Sequence, residues 1–291
     1  INLLCDYLLL GLLTMPIEKK RIETMKKITA LLAYIAFTTS CILYNPKVSE
    51  NVKITNTKQL VSHLQESTVA LAMLRSEKKY SAYCTGVWIR KNVILTAFHC
   101  AEAGGMNAEE MILSQLFGVT IPQENFLNRD LKFSTHKQMQ RDKKFSYIKS
   151  SNINTGKIVA VSRNRDLALI VTDNIKAPYS VANISDDKLL AGEDLHIMGH
   201  TIGLLYSYSQ GTIAGTRVEK VVQGDEPVKL VQVSGQVWKG NSGGGAFNSK
   251  GELVGICSFL VRGPSHISFF IHRDELNEFI KESEKSLKTK S

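Results

Sequence analysis

The chain offers little that a metal, a membrane span or a nucleic acid would require. Its histidines form no His-x-x-x-His or His-Glu pair on any predicted helix, and its five cysteines lack zinc spacing, so neither a metal nor another cofactor is expected. The apolar stretch Ile28 to Phe37 falls short of the roughly 20 residues that a comfortable membrane helix needs. No internal repeat and no low-complexity tract is present, which sets aside repeat arrays and long disordered regions. The formal charge is +9, and a basic cluster lies at Arg129, Lys132, Lys137, Arg141, Lys143, Lys144 and Lys149. With no nucleic-acid-binding motif beside it, this cluster reads as a solvated loop face, and no nucleic-acid partner is expected.

What the chain does have is a glycine-rich stretch, Gly-Asn-Ser-Gly-Gly-Gly at Gly240 to Gly245, that presents one serine on a turn almost bare of side chains. A serine hydroxyl attacks a carbonyl only when a base takes its proton, and the oxyanion it creates needs N–H donors close by. Glycines let backbone amides approach that closely. Two upstream segments supply a base and a carboxylate. Thr96-Ala97-Phe98-His99-Cys100 follows the apolar run Val87 to Leu95, and Asp166 opens the apolar run to Ile170. In chain order these give His99, Asp166 and Ser242, an order distinct from those of subtilisin and the α/β-hydrolases.

On these three motifs the sequence resembles the trypsin-like, chymotrypsin-fold serine peptidases, especially the compact bacterial ones, over roughly Thr68 to Ile280. Gly199-His200-Thr201-Ile202-Gly203, followed by Tyr208-Ser209-Gln210-Gly211-Thr212-Ile213, resembles the glycine-punctuated first hairpin of the second barrel in HtrA-type peptidases, and no PDZ domain is expected after it. The resemblance implies an all-β fold of two six-stranded antiparallel β-barrels, with the active site between them and a C-terminal α-helix. It implies Ser242 as nucleophile, His99 as general base, Asp166 as the group that orients the imidazole, and the amides of Gly240 and Ser242 as oxyanion donors. A disulfide between Cys84 and Cys100 is implied in the same way; the residues alone leave a pair of reduced core cysteines open. Gln236 would line the floor of the primary specificity pocket, and Ser258, Phe259 and Leu260 would form the strand that pairs with substrate backbone. Asn241 stands where digestive relatives carry an aspartate that pairs with a newly cut N-terminus. Activity without zymogen cleavage follows as an expectation. Leu260 replaces a usual glycine, and Cys257 stands where glutamate-cleaving relatives carry histidine, so small or medium uncharged side chains are the expected preference.

Short β-rich runs separated by polar turns fit such a fold: Val69 to Leu74, Thr85 to Ile89, Val93 to Thr96, Lys157 to Val161 and Leu167 to Val171, then Asp194 to Met198, Ser207 to Ala214, Leu230 to Val233, Gly245 to Phe247, Leu253 to Phe259 and His266 to Ile271. Helix is expected at Asp274 to Leu287, where Leu276, Phe279 and Ile280 share a face, with a short one at Ala108 to Phe117. His200 reads as structural, His196, His266 and His272 as packed or surface groups, and Cys257 as a small core residue.

Met25-Lys26-Lys27, the apolar middle and Thr38-Thr39-Ser40-Cys41 read as a bacterial export signal. Lipidation at Cys41, simple cleavage and an uncleaved anchor all stay open, giving a periplasmic, envelope-bound or secreted protein. The expected organisation is an over-extended reading frame or tail at 1–24, the signal at 25–41, a linker at 42–60, a first barrel at 61–180 with an insertion at about 103–150, and a second barrel with the closing helix at 181–291. The leading function is an exported serine endopeptidase acting on a protein or peptide substrate. Its rivals are a non-catalytic binding module on the same scaffold and, more remotely, an esterase.

Overall fold

The computed structural model describes residues 54–140, 147–173, 175, 179–222, 224–235, 237–261 and 267–289. The leader segments, Cys41, Gln236, His266 and the basic residues Arg141, Lys143 and Lys144 lie outside the described residues. Residues Ser49–Lys281 form one compact unit. The described residues beyond Lys281 continue the C-terminal helix.

The first barrel is built from β1 (Thr68–Ser76), β2 (Lys79–Arg90), β3 (Val93–Thr96), β4 (Asp130–Thr135), β6 (Asn154–Ser162) and β7 (Leu167–Thr172), with the two-residue β5 (Ile148–Lys149) added at the edge of β2. The ring runs β1-β4-β6-β7-β3-β2 and closes through antiparallel pairing of β1 with β2. Tight turns join neighbours, with Lys78 and Asn92 at positive φ; asparagine tolerates that conformation because its side chain bonds locally. The second barrel contains β8 (Asp194–Gly199), β9 (Ser207–Lys220), β10 (Pro227–Gly235), β11 (Gly245–Phe247), β12 (Leu253–Val261) and β13 (Ile267–His272), closed in the order β10-β13-β12-β11-β8-β9.

Strand periodicity explains how the two barrels share a core. On β7 every residue is buried, but Ala168 and Ile170 join the interior of the first barrel, with Trp88, Ile94 and Phe133, whereas Leu167 and Leu169 turn to a second cluster. That cluster also takes Val87 and Leu95 from the first barrel, Met198, Leu230, Ile256 and Ile271 from the second, and Leu276, Phe279 and Ile280 from the closing helix α5 (Arg273–Thr289). Alternate side chains of one strand thus fill one barrel and bind it to the other.

Several elements, among them a helix before β1 and a strand of the first barrel, were not legible in the sequence. Helix α1 (Thr57–Ser67) begins in the last residues of the expected linker and runs into the expected first barrel, capped by Asn56, whose side chain accepts the Gln59 N–H at 3.0 Å. Only Leu60 and Leu64 are buried hydrophobics on it, too few to announce a helix. The expected insertion at 103–150 is also shorter than it looked, because β4 lies within it and pairs with both β1 and β6 as a ring strand. Its inward face is carried by Leu131 and Phe133, a single alternation that a short window easily misses. Between α2 (Phe98–Gly105) and β4 the described residues include α3 (Ala108–Phe117), at the expected bounds and with the capping box Asn107/Glu110; α4 (His136–Gln140) follows β4. Among the described residues no helix is long and apolar enough to cross a membrane.

Candidate active site

His99 sits in the first turn of α2, directly after β3. First-turn N–H groups have no partner within their own helix, and Ala97 at the cap offers no side chain to accept one. Asp166 does so from a distant part of the chain: its Oδ1 accepts the His99 backbone N–H at 3.0 Å. The same carboxylate faces the ring, with Nδ1 2.9 Å from Oδ2 and 3.0 Å from Oδ1. A carboxylate at Nδ1 places the proton there and leaves Nε2 as the acceptor. Ser258 Oγ also donates to Asp166 Oδ2, at 2.5 Å. Three donors therefore satisfy a carboxylate that is only 5% exposed. Asp166 itself ends the turn after β6 at φ +50°, with its N–H on the Arg163 carbonyl at 3.1 Å. Burial draws the His99 pKa down, but the charge of Asp166, its hydrogen bond and the charge of Glu102 together outweigh burial, and the net direction is up. The imidazole keeps 32% exposure and can be reached from solvent.

The disulfide Cys84–Cys100 ties β2 to the residue after His99, with 6.0 Å between Cα atoms. Both sulfurs and a His99 ring nitrogen lie within 4.8 Å of one another. The sulfurs are bonded to each other, which leaves one imidazole and no thiolate pair for a metal. Cys100 Sγ also lies 3.5 Å from the Ser242 carbonyl oxygen, so the histidine and serine loops meet there.

On the serine side, four consecutive carbonyls are fixed. Lys239 O accepts from Ile202 N at 2.7 Å, Gly240 O from Thr85 Oγ1 at 2.7 Å, Asn241 O from Gly244 N at 2.8 Å and Ser242 O from Thr85 N at 2.8 Å. In a trans peptide the carbonyl and the following N–H point to opposite sides, so these bonds also aim the N–H groups. The Asn241 N–H goes to Trp238 O at 3.1 Å, while among the described residues no acceptor takes the N–H of Gly240 or Ser242. Two donors flanking the serine loop are left over, as an oxyanion would require. Glycine is demanded twice here. Gly240 has φ +98° and a Cβ on it would stand 2.2 Å from His200 O; Gly243 has φ +77° and its Cβ would meet Thr96 Oγ1 at 2.1 Å.

The turn that faces this loop, His200–Gly203, holds Ile202 at φ +51° although it is β-branched and 70% exposed. Such a conformation costs about 1–2 kcal/mol and is kept only where its surroundings enforce it. Thr201 Oγ1 reaches Asn241 Oδ1 at 3.0 Å, and Asn241 is 2% exposed.

The remaining predicted residues fall as follows. Ser258, expected only on the substrate-pairing strand, has its side chain on Asp166, so β12 supports the carboxylate as well. Phe259 stacks on Phe269 with centroids 4.9 Å apart, and Leu260 pairs with Ser268. Cys257 is buried, and burial with the Asp166 charge pushes its thiol pKa up. His200 is buried and accepts from Tyr206 N at 3.0 Å; burial brings its pKa down to about 3. His196 bonds Tyr208 Oη at 2.8 Å, and His272 accepts the Asp274 N–H at 3.1 Å. Arg129 of the basic cluster is held by both oxygens of Glu110, and Lys132 by Thr155. Thr85, Thr201 and the Ser258 contact to Asp166 escaped sequence reasoning, because nothing local marks a hydroxyl whose partner lies elsewhere in the chain.

Residues 84–256 match the family model described as trypsin-like peptidase domain, more than half of the chain, and the protein belongs to that family. Relatives include serine protease HtrA-like proteins of Staphylococcus aureus. The one from strain bovine RF122 / ET3-1 is 25% identical over 140 residues, and the one from strain MRSA252 is 26% identical over the same length; each match takes in 44% of this chain and 18% of the relative. The chain thus spans less than a fifth of the length of these relatives. Among solved structures, the active form of the Rv3671c protease from M. tuberculosis superposes with a TM-score of 0.56 at 14% identity, covering 78% of this chain and 84% of that one. The serine endoprotease from Yersinia pestis gives a TM-score of 0.54 at 19% identity, covering 79% and 67%. These identities carry the fold.

Proposed function

We propose that the protein is an exported serine endopeptidase that hydrolyses peptide bonds through His99, Asp166 and Ser242. The observation that carries this reading is the Asp166 carboxylate bound at once to the His99 ring and the His99 backbone N–H, beside a serine loop with two unclaimed amides. In this reading Ser242 Oγ attacks the scissile carbonyl while His99 Nε2 takes its proton. The carbonyl oxygen becomes an oxyanion between the N–H groups of Gly240 and Ser242. The tetrahedral intermediate collapses as the imidazolium returns the proton to the leaving amine, and an acyl-enzyme on Ser242 remains. Water, deprotonated by the same imidazole, then releases the acid. Asp166 keeps the imidazole in the productive tautomer and stabilises its charged form; Ser258, through its bond to Asp166, fixes that carboxylate. Substrate backbone would lie along Ser258 to Leu260, with Gln236 toward the primary pocket.

Activity without zymogen cleavage is supported by Asn241, an amide that finds a partner within the chain at Thr201 and needs no new N-terminal amine. Export is supported by the signal-like pattern at 25–41 and by the disulfide, a bond that persists in oxidising compartments. Attachment to a membrane would run through a lipidated Cys41 or an uncleaved signal.

A fluorophosphonate probe tests the chemistry directly. Wild-type protein should be labelled on Ser242 without prior proteolysis, and Ser242→Ala should not be labelled. Labelling elsewhere, or only after an activating protease is added, would count against this reading, and no labelling at all would favour a binding module on a peptidase scaffold.

A further inference from the structure

Of the four carbonyls that shape the serine loop, three are held by Thr85 and Gly244, and only Lys239 O depends on the turn His200–Gly203. That carbonyl matters most for the N–H of Gly240, because the two belong to one peptide plane. If the Ile202 N–H let go, this peptide would be free to rotate about its flanking bonds with little movement of either Cα. The rotation would turn the Gly240 N–H away from the cleft and bring a carbonyl oxygen toward it, where it would repel an oxyanion instead of binding one.

The grip rests on Ile202, whose left-handed backbone relaxes unless neighbours hold it. Within the turn, Gly203 N donates to His200 O at 3.0 Å and Leu204 N to Thr201 O at 2.8 Å, which sets the shape of the turn but not its seat on the serine loop. The side-chain bond that seats it is Thr201 Oγ1 to Asn241 Oδ1, at 3.0 Å and shielded from competing water by the burial of Asn241. Two glycines make the seat close: bare Gly199 lies against the Asn241 amide, and bare Gly240 against His200 O.

We propose that Thr201 is a positioning residue for peptide hydrolysis. Through Asn241 it seats the 200–203 turn on the serine loop and keeps the Gly240 N–H aimed at the reacting carbonyl. This rests on the reading of Gly240 and Ser242 as oxyanion donors. It adds that one donor is held in place by a hydroxyl outside the triad.

The test compares Thr201→Val, which keeps the shape and removes the hydroxyl, with Thr201→Ser, which restores it, in the full chain. A fluorogenic peptide chosen from a cleavage library gives kcat and KM, and fluorophosphonate labelling gives a second rate. Thr201→Val should lower kcat by about ten- to a hundredfold, part of what losing a whole oxyanion donor costs, with KM changed less than about twofold. Labelling should slow in proportion, and Thr201→Ser should recover most of both rates. A merely structural role would instead lower the melting temperature and the active fraction, with normal rates per labelled site. If Thr201→Val does not fold, Thr201→Ala gives the same reading. Unchanged kcat, a loss confined to KM, or failure of serine to rescue would overturn the proposal. Ser242→Ala separates the two levels: if it is silent while Thr201→Val behaves as wild type, only the positioning role falls, whereas labelling of Ser242→Ala would remove the triad reading as well.

Discussion

The two barrels equip the site in different ways. The first contributes an imidazole and a carboxylate, His99 and Asp166, joined by a bond of 2.9 Å and steadied by a disulfide at the residue after the histidine. The second contributes a serine on a loop whose backbone is fastened at every carbonyl from Lys239 to Ser242. The contrast teaches where each kind of sensitivity should lie. Acid should act through the first barrel, and changes of backbone shape through the second.

The largest effect should come from breaking the contrast altogether. Ser242→Ala should lower kcat by roughly 10⁶-fold, and adding His99→Ala should cost almost nothing more, because the groups act as a unit. Multiplying losses in single-turnover kinetics would show the barrels working independently. Asp166→Asn should come next, at roughly 10⁴-fold, since an amide no longer fixes the imidazole proton on Nδ1. It also removes the charge that raises the His99 pKa, so the acid limb of kcat/KM, lying above the ordinary value of 6.5 in the wild type, should move down in the variant. A limb that stays in place would mean that another group titrates.

The same pair gives a sign for stability. Because folding raises the His99 pKa, the ion pair with Asp166 contributes fully below the unfolded value near 6.5 and is lost as pH rises through the folded value. In the proposed mechanism activity runs the other way, since a general base must start as the neutral ring. Thermal melts and rates measured across that window should therefore trend in opposite directions for this pair, and Asp166→Asn should flatten its share of the stability trend.

In the second barrel, Gly243→Ala combines a positive φ with a Cβ 2.1 Å from Thr96 Oγ1, and should lose about 1–3 kcal/mol of stability together with activity. An active, fully stable variant would show that the loop is less firmly held than its bonds suggest. The smallest effect on chemistry is expected from Cys84→Ser with Cys100→Ser. Opening a loop of 16-residue separation costs roughly 3 kcal/mol of stability, read by denaturant titration, while kcat measured well below the melting point should fall less than for any triad change.

Much of this was legible in the sequence, and the reasons are local. The serine turn stands out in the sequence because a tight turn with amides exposed needs glycine, and Gly240 and Gly243 do sit at positive φ. Most barrel strands announce themselves because a short apolar run is written within a few residues, as in β7. Hidden features depend on partners far apart in sequence. Ser258 lies 92 residues from Asp166, and Thr85 lies 155 from Gly240, so neither spacing nor periodicity could pair them. β4 was hidden for a different reason: two alternating apolar residues make a strand only once β1 and β6 flank them.

Thr85 spans the boundary between the two barrels. It belongs to the wall of one barrel, yet its hydroxyl and its amide both grasp the loop that the other barrel extends toward it. A serine loop moored to the opposite half cannot travel with its own half, so any hinge-like gaping of the two barrels must first tear that mooring. The second half produced as a separate polypeptide should lack a properly shaped serine loop, and hybrids that exchange one half with a relative should work only when the donor of β2 brings a hydroxyl to this position.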